Sequence, residues 1–306
     1  MSTQINLPES VPANVQRIMQ TRIDQCRAHL RHDAPHEAIH QTRKELKKIR
    51  ALLRLVRYQI GKEAYHTANR YFRDAARLIS DARDVAAGWE TAEQLQALLT
   101  TARDRQAVGR LKRHLRAKKA AITRYQVHGD KLLESVTEAL AEAEQLHRAW
   151  TISDDGFEVV EKGIKRIYRQ CQKRQAVAYS QDDPKAFHQW RKSVKYLRYQ
   201  VDVLSPLWPG LLQALEGELS LLTDHLGDDH DLLVLQETIK EAKVMPPATQ
   251  RSVFSAIEEQ RTRLQQQALP LAKKLFAQKP KEFVADLARW WQIEAERQVA
   301  AAVVEV

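Results

Sequence analysis

The chain has 306 residues, of which 43% are hydrophobic, which is enough for the buried core of one or two domains and excludes a disordered tail. Its formal net charge is +10, from 49 Lys and Arg against 39 Asp and Glu, and this excess favours anionic partners. Because no apolar run reaches the ~18 residues that cross a bilayer, and residues 1–12 lack a secretory pattern, we expect a cytoplasmic protein without a membrane partner.

Good helix formers dominate the sequence, glycine is scarce, and no proline occurs between His36 and Asp183. The composition therefore predicts an all-α fold. Cap and breaker residues in 151–156 predict a join between an N-terminal half, residues 1–152, and a C-terminal half, residues 153–306. We predict helices over 11–31, 36–59, 62–85, 88–103, 105–127 and 129–148, and then over 156–179, 184–204, 208–228, 230–243, 247–276 and 280–303.

Three blocks of sequence occur twice. Residues 15–30 resemble 160–175, and residues 79–84 resemble 226–231. The first of these blocks places Cys26 opposite Cys171, and we expect both to be reduced, buried thiols because neither lies in a CxxC or zinc-knuckle pattern. A duplication of this length predicts two similar helical bundles related by a pseudo-twofold axis.

The remaining block is a basic pattern on two predicted helices. The N-terminal stripe reads His40-x-x-Arg43-Lys44-x-x-Lys47-x-x-Arg50, and the C-terminal stripe reads His188-x-x-Arg191-Lys192-x-x-Lys195-x-x-Arg198. Offsets of three, four, seven and ten residues lie on one side of a helix, so each stripe forms a ladder of cations. Two matched ladders predict that a polyanion is held between the two halves.

An amphipathic helix also shows a polar face to water, but such faces usually carry both signs of charge. Here Glu45 is the one acidic residue between His40 and Arg57. Like charges one turn apart destabilise a helix by a few tenths of a kcal/mol per pair, roughly, so the repeated pattern favours a functional interpretation. Further cations share helix faces at Arg73 and Arg77, and at Lys112 and Arg116.

Residues 36–40 spell HExxH, a zinc-binding pattern on a helix. We reject a zinc site because the second half keeps a counterpart of His40 alone, and because the neighbouring Arg and Lys residues would repel a dication.

The cluster at 225–231 could also supply metal ligands, but the counterpart of His230 is Arg83, which cannot ligate a metal. We expect four carboxylates, those of Asp81, Asp84, Asp228 and Asp231, to orient cationic side chains instead. A divalent-cation site is the alternative. No Gly-rich phosphate loop, G-x-S-x-G elbow or Cys/His arrangement occurs, so we expect no cofactor and no catalytic residue.

The two stripes, each followed by a short (L/I)-(S/G)-D-x-(R/H)-D segment, resemble the CHAD (conserved histidine α-helical domain) family over residues 11–291. The resemblance implies two four-helix bundles that face each other across a basic groove or pore. It also implies binding of inorganic polyphosphate, as in accessory proteins of polyphosphate granules or polyphosphate metabolism. The family motif falls on both stripes and on Arg83, Asp84, His230 and Asp231, where histidine in place of arginine at 230 is a departure.

We therefore predict a non-enzymatic protein that binds inorganic polyphosphate, in the cytoplasm and with an association with polyphosphate granules. A nucleic-acid-binding protein and a metal-dependent phosphohydrolase accessory, with Mg²⁺ held by Asp228, Asp229 and Asp231, are the alternatives. The predicted binding residues are His40, Arg43, Lys44, Lys47, Arg50, Arg54, Arg73, Arg77, Arg83, Lys112, Arg116, His188, Arg191, Lys192, Lys195, Arg198 and His230.

Overall fold

The computed structural model describes residues 2–122, 131–181 and 183–304, and the side chains among them except those of 35–36, 80–86, 119, 121–122, 131–133, 184 and 302–304. This part of the chain is all-α, as predicted. Within it, no helix combines the length and apolar character that a bilayer span requires.

Eleven α-helices lie in the described residues. They are α1 (Val11–His32), α2 (Pro35–Val56), α3 (Lys62–Leu78), α4 (Ser80–Leu98), α5 (Ala102–Ile122), α6 (Lys131–Arg148), α7 (Glu158–Ser180), α8 (Pro184–Leu204), α9 (Pro209–Ala242), α10 (Pro247–Leu275) and α11 (Pro280–Val304). Five of them begin with proline, whose fixed φ suits the first helical position and whose missing N–H is not needed there. Both stripe helices, α2 and α8, belong to this group.

Two predicted breaks between helices are wrong. The predicted helix 62–85 ends at Leu78, because Ile79 leaves the helical region with φ −104° and ψ 17°, and α4 begins directly after it. The predicted break between 208–228 and 230–243 is absent, since α9 is one helix of 34 residues. A glycine inside a helix costs only about 1 kcal/mol, and Asp229 accepts hydrogen bonds from Arg261 (3.1 Å) and Gln265 (2.8 Å) of α10, which hold this turn in place.

The main hydrophobic core is formed by α1, α2, α3, α6, α7, α8 and α11, together with the first half of α9 and the end of α10. A second core joins α4 and α5 with the rest of α9 and α10. Each core thus combines helices from both sequence halves. Cys26 and Cys171 are buried free thiols, as predicted, and burial raises the pKa of both. The pseudo-twofold axis and the division at residue 152 stay predictions.

The two stripe helices lie at the centre of the main core. The helix α2 packs against α7 and α8, and its other neighbours are α1, α3 and α4. The apolar sides of the stripes are fully buried, at Leu46, Ile49 and Leu53 on α2 and at Trp190, Val194 and Val201 on α8. Burial of these faces fixes which way each helix is rotated, and so fixes where the cations point.

Candidate functional site

The cationic sides of α2 and α8 face two adjoining cavities. The arginine cavity has a volume of about 520 Å³, and its described lining consists of Arg43, Leu46, Lys47, Arg50, Arg54, Arg57, Tyr65, Arg73, Ala76, Arg77, Arg166, Ile167, Gln170, Arg174, Gln189, Lys192 and Tyr196. The histidine cavity has a volume of about 560 Å³, and its described lining consists of His40, Arg43, Lys44, Lys47, Arg50, Ala87, Gly88, His188, Arg191, Lys192, Lys195, Tyr196, Arg198, Tyr199, His230, Asp231 and Val234. Five lining residues are common to both, so the two cavities adjoin, and together they are called the depression below.

The charge of this depression is almost entirely positive. The described lining of the arginine cavity contains ten Arg or Lys residues and no Asp or Glu. The described lining of the histidine cavity contains eight Arg or Lys residues, three histidines and one carboxylate, Asp231. Concave surfaces of one charge focus the field and raise the local concentration of the opposite ion. The depression is therefore suited to a ligand with many negative charges.

Neighbouring helices hold the arginines of α2 in place. Asn69 of α3 accepts hydrogen bonds from Arg50 Nε (3.2 Å) and Arg54 Nη1 (3.1 Å), and Arg54 Nη1 also donates to the Arg50 carbonyl oxygen (2.6 Å). Arg43 Nη1 donates to the carbonyl oxygen of Ile79 (3.3 Å) at the break between α3 and α4. The acceptors of Arg50 and Arg54 are neutral, so they orient these two guanidinium groups without neutralising their positive charge.

The helix α7 adds cations that the stripes do not contain. Arg166, Gln170 and Arg174 follow each other at a spacing of four residues and line the arginine cavity. Arg174 Nη1 donates to the carbonyl oxygen of Gln189 (3.0 Å) and to Ser193 Oγ (2.5 Å), which fixes it against α8.

Two histidines pack together in the histidine cavity. The ring centroids of His188 and His230 are 3.9 Å apart, with an angle of 37° between the planes. Burial, followed by neighbouring cations, lowers the pKa of each to about 4, so both rings are neutral at pH 7. The Nδ1 atoms of both rings and Nε of Arg191 are buried without a hydrogen-bond partner. The cluster is therefore polar, and these three atoms lack a hydrogen-bond partner among the described residues of the protein.

The side chain of Arg191 packs against α9 at Gly227, which has no side chain. A Cβ atom at Gly227 would lie 3.0 Å from Nη2 of Arg191, so glycine lets the guanidinium group pack directly on the helix.

Burial and mutual repulsion disfavour the charged forms of several cations on α2 and α8. Burial, and next the charge of Arg191, lowers the pKa of Lys195 to about 7. Burial also lowers the pKa of Lys192 and of Arg50, and surrounding arginines add to both effects. A bound polyanion would relieve this repulsion, because opposite charge favours the protonated form of each group.

Aromatic rings line the depression, but cations cover their faces. The guanidinium carbon of Arg54 lies 3.9 Å from the ring centroid of Tyr196, and that of Arg57 lies 4.3 Å from the centroid of Tyr65. Tyr199 is 7% exposed. Proteins that bind single-stranded nucleic acid stack bases on open aromatic faces, whereas Tyr65 and Tyr199 are buried and Arg54 occupies one face of Tyr196.

The model of the CHAD domain family matches residues 17–240. The chain belongs to the CHAD family. PptA from Streptomyces chartreusis has a similar fold, with a TM-score of 0.60 at 15% identity over 88% of this chain and 100% of that chain. The crystal structure of the CHAD domain from the plant Ricinus communis matches 90% of this chain and 93% of its own, at 18% identity and a TM-score of 0.49. No curated protein matches significantly.

Most residues predicted for the site of this CHAD chain line the depression. They are His40, Arg43, Lys44, Lys47, Arg50, Arg54, Arg73, Arg77, His188, Arg191, Lys192, Lys195, Arg198 and His230.

Three predicted residues are not placed there. The side chain of Arg83 lies outside the described residues. Lys112 and Arg116 lie on α5, which packs against α4, α9 and α10. Lys112 Nζ donates to Glu93 Oε1 (3.0 Å), and Arg116 is exposed. Neither residue is among the described lining of the two cavities.

The three aspartates considered for a magnesium site do not come together. Asp229 is 1% exposed and faces Arg261 of α10, whereas Asp231 lines the histidine cavity and Asp228 is exposed. Among the described side chains there is no group of three or more His, Cys, Asp or Glu residues that could hold a metal ion. The Asp81 and Asp84 side chains, and that of His36 in the HExxH pattern, lie outside this set.

Proposed function

We propose that this CHAD protein binds long-chain inorganic polyphosphate without turning it over, along the depression formed by α2, α3, α7, α8 and α9. The observation that carries the proposal is the charge of the described lining: fourteen Arg or Lys residues accompany one carboxylate, Asp231. Polyphosphate has no bases or sugars to recognise, so closely spaced cations in a narrow depression suffice. Arginine offers forked donors to phosphate oxygens, and lysine acts as a mobile point charge.

The positions of Arg54 over Tyr196 and of Arg57 over Tyr65 favour polyphosphate over nucleic acid, since bases would compete with these guanidinium groups for the ring faces. The separation of Asp229 from Asp231 argues against the magnesium-dependent phosphohydrolase with these ligands. The cellular part of the proposal is that the protein lies in the cytoplasm and associates with polyphosphate granules. A fluorescent fusion should colocalise with granules and disperse when polyphosphate synthesis is blocked.

The function is tested by titrating the full chain with long-chain polyphosphate, single-stranded DNA and duplex DNA at about 150 mM salt, where exposed charges are screened beyond ~8 Å. We expect tighter binding to polyphosphate than to either DNA, and an affinity that decreases steeply as salt increases, because binding releases condensed counterions. Equal or tighter binding to DNA would contradict the proposal. Release of phosphate in the presence of Mg²⁺ would show an enzyme instead.

A further inference from the structure

Lys195 has surroundings unlike those of an ordinary surface lysine. It is half-buried in the wall of the histidine cavity. The charged groups that act on it are Arg191 and Arg198 on its own helix, Lys47 on α2, and Asp231 on α9, and His230 of α9 lies close enough to be influenced in turn. Burial, and next the excess of cations among these groups, lowers the pKa of Lys195 to about 7, so a substantial fraction of it is neutral at pH 7.

A neutral amine is a nucleophile, whereas a protonated one is not. The same cavity attracts phosphate groups through Lys44, Lys192 and Arg198, which lie in its wall with Lys195. A small molecule that joins a phosphate to an electrophilic carbon would therefore be concentrated beside this amine. Acyl phosphates have this chemistry, because their phosphate is both the anionic handle and the leaving group.

We propose that Lys195 is a self-acylating residue, modified by acyl phosphates that the cations of the histidine cavity hold beside its Nζ atom. The lone pair of Nζ attacks the acyl carbon, the N–C bond forms, and the C–O bond to the phosphate breaks. The phosphate leaves with that electron pair, and the amine proton passes to solvent. The product is an amide that can no longer be protonated, so the cavity loses a cation that polyphosphate binding would otherwise favour, and it gains an acyl group.

The inference rests on the proposed function in one respect, since both need a cavity that accepts phosphate. It adds a regulatory consequence: acylation at Lys195 reduces affinity for polyphosphate, and bound polyphosphate protects Lys195 by occupying the cavity and stabilising the protonated amine.

The experiment incubates the full chain with acetyl phosphate at pH 7.5 and measures the occupancy of each lysine over time by peptide mass spectrometry. Lys44 is the internal control, because it lines the same cavity but is exposed. We expect acetylation of Lys195 to be about ten-fold faster than that of Lys44, or more, since a group with a pKa of about 7 is mostly neutral at this pH. Prior addition of long-chain polyphosphate should suppress it. Equal rates at the two lysines would overturn the inference.

An uncharged acetylating reagent, the N-hydroxysuccinimide ester of acetate, separates recruitment from intrinsic reactivity. The preference for Lys195 over Lys281, an exposed lysine that is not among the described lining of either cavity, should be larger with acetyl phosphate than with the ester. Equal preferences would show that the cavity does not recruit the phosphate, which overturns the inference.

Two variants sharpen the test. Lys195→Arg should remove the fast adduct and retain a positive charge. Asp231→Asn should accelerate acetylation below pH 7, because Asp231 raises the pKa of Lys195. An unchanged or slower rate of Lys195 acetylation in Asp231→Asn would contradict the proximity of Asp231 to Lys195.

The two proposals fail separately in these measurements. If polyphosphate binds but Lys195 shows no preference, the acylation inference falls and the binding function stands. If Lys195 is acetylated preferentially but polyphosphate does not bind, the binding function falls.

Discussion

The imidazole rings of His188 and His230 lie against each other with centroids 3.9 Å apart, and burial among cations lowers the pKa of both to about 4. Unfolded histidine titrates near ~6.5, so between about pH 4 and 6.5 the unfolded chain binds more protons than the native one at these positions. Their contribution to stability therefore increases as pH rises through this window and is complete above it.

We predict that replacing both rings, in His188→Gln/His230→Gln, reduces the rise in the free energy of unfolding between pH 4.5 and 6.5. Urea titrations at several pH values measure this. The exposed His66, replaced by Gln, is the matched control and should leave the pH profile unchanged. If the double variant had the same pH profile of stability as the wild type, the two histidines would not be neutral in the native state over this pH range.

The titration of Lys195 should make the affinity for polyphosphate depend on pH. Its pKa in the free protein is about 7, and a bound polyanion raises it, so binding takes up protons above pH 7. Affinity for polyphosphate should therefore decrease as pH rises from about 7 to 9, and the decrease should be shallower in Lys195→Met. Fluorescence titrations at constant ionic strength measure both. The same slope in the wild type and the variant would show that Lys195 does not titrate in the site.

The sequence was sufficient to predict the all-α fold and most of the cavity wall, because two physical signals were strong. Apolar residues such as Leu46 and Trp190 bury one face of each stripe helix, which leaves the cations on the other face. Glu45, the acid that interrupts the first stripe, also obeys this rule: it is 4% exposed and accepts a hydrogen bond from the buried Arg22 at 2.8 Å. It therefore belongs to the core and not to the cavity.

Other parts of the site depend on packing between distant helices. Arg166 and Arg174 were missed because their counterparts at the 145-residue offset are Thr21 and His29, so the internal repeat gives no signal for them. Their spacing of eight residues, with Gln170 between them, was the available clue. The lowered pKa values of the histidines also follow from tertiary burial, which periodicity does not reveal.

Arg166 offers a direct test of the contribution of α7. Both Arg166 and Arg169, three residues further along the same helix, are exposed, but only Arg166 is among the described residues that line the arginine cavity. Arg166→Glu should weaken polyphosphate binding about ten-fold or more, since it replaces an attractive contact with a repulsive one, and should lower the slope of log affinity against log salt by about 1. Arg169→Glu should change affinity by less than about two-fold, within the ~0.5 kcal/mol typical of neutral surface changes. Equal losses of affinity in the two variants would indicate that Arg166 acts through long-range electrostatic attraction and does not contact the ligand.

The edge of the site is tested with a second matched pair. Arg77 lines the arginine cavity, with Asp74 Oδ1 at 3.3 Å, whereas Lys112 lies on α5 beside Glu93. Arg77→Glu should weaken binding of long-chain polyphosphate, and Lys112→Glu should leave it nearly unchanged. Circular dichroism confirms that both variants retain their helices. Loss of binding in Lys112→Glu would extend the ligand path to α5 and favour an encircling pore over an open surface.

The crossing of α2 and α7 sets the geometry of the arginine cavity, and Gly163 is the residue that permits it. A Cβ atom there would lie 1.8 Å from the carbonyl oxygen of Leu55 and 2.8 Å from that of Arg54, so the two helices would have to separate. Overpacking of this kind costs typically ~1–3 kcal/mol, so Gly163→Ala should reduce the free energy of unfolding by at least that much and displace the backbone that carries Arg54.

Gly217 on α9 is the matched control, because a Cβ atom there meets nothing within 4 Å. Gly217→Ala should gain about 0.5–1 kcal/mol from helix propensity. Urea unfolding measures both changes, and a Gly163→Ala protein as stable as the wild type would show that α2 and α7 do not cross this closely.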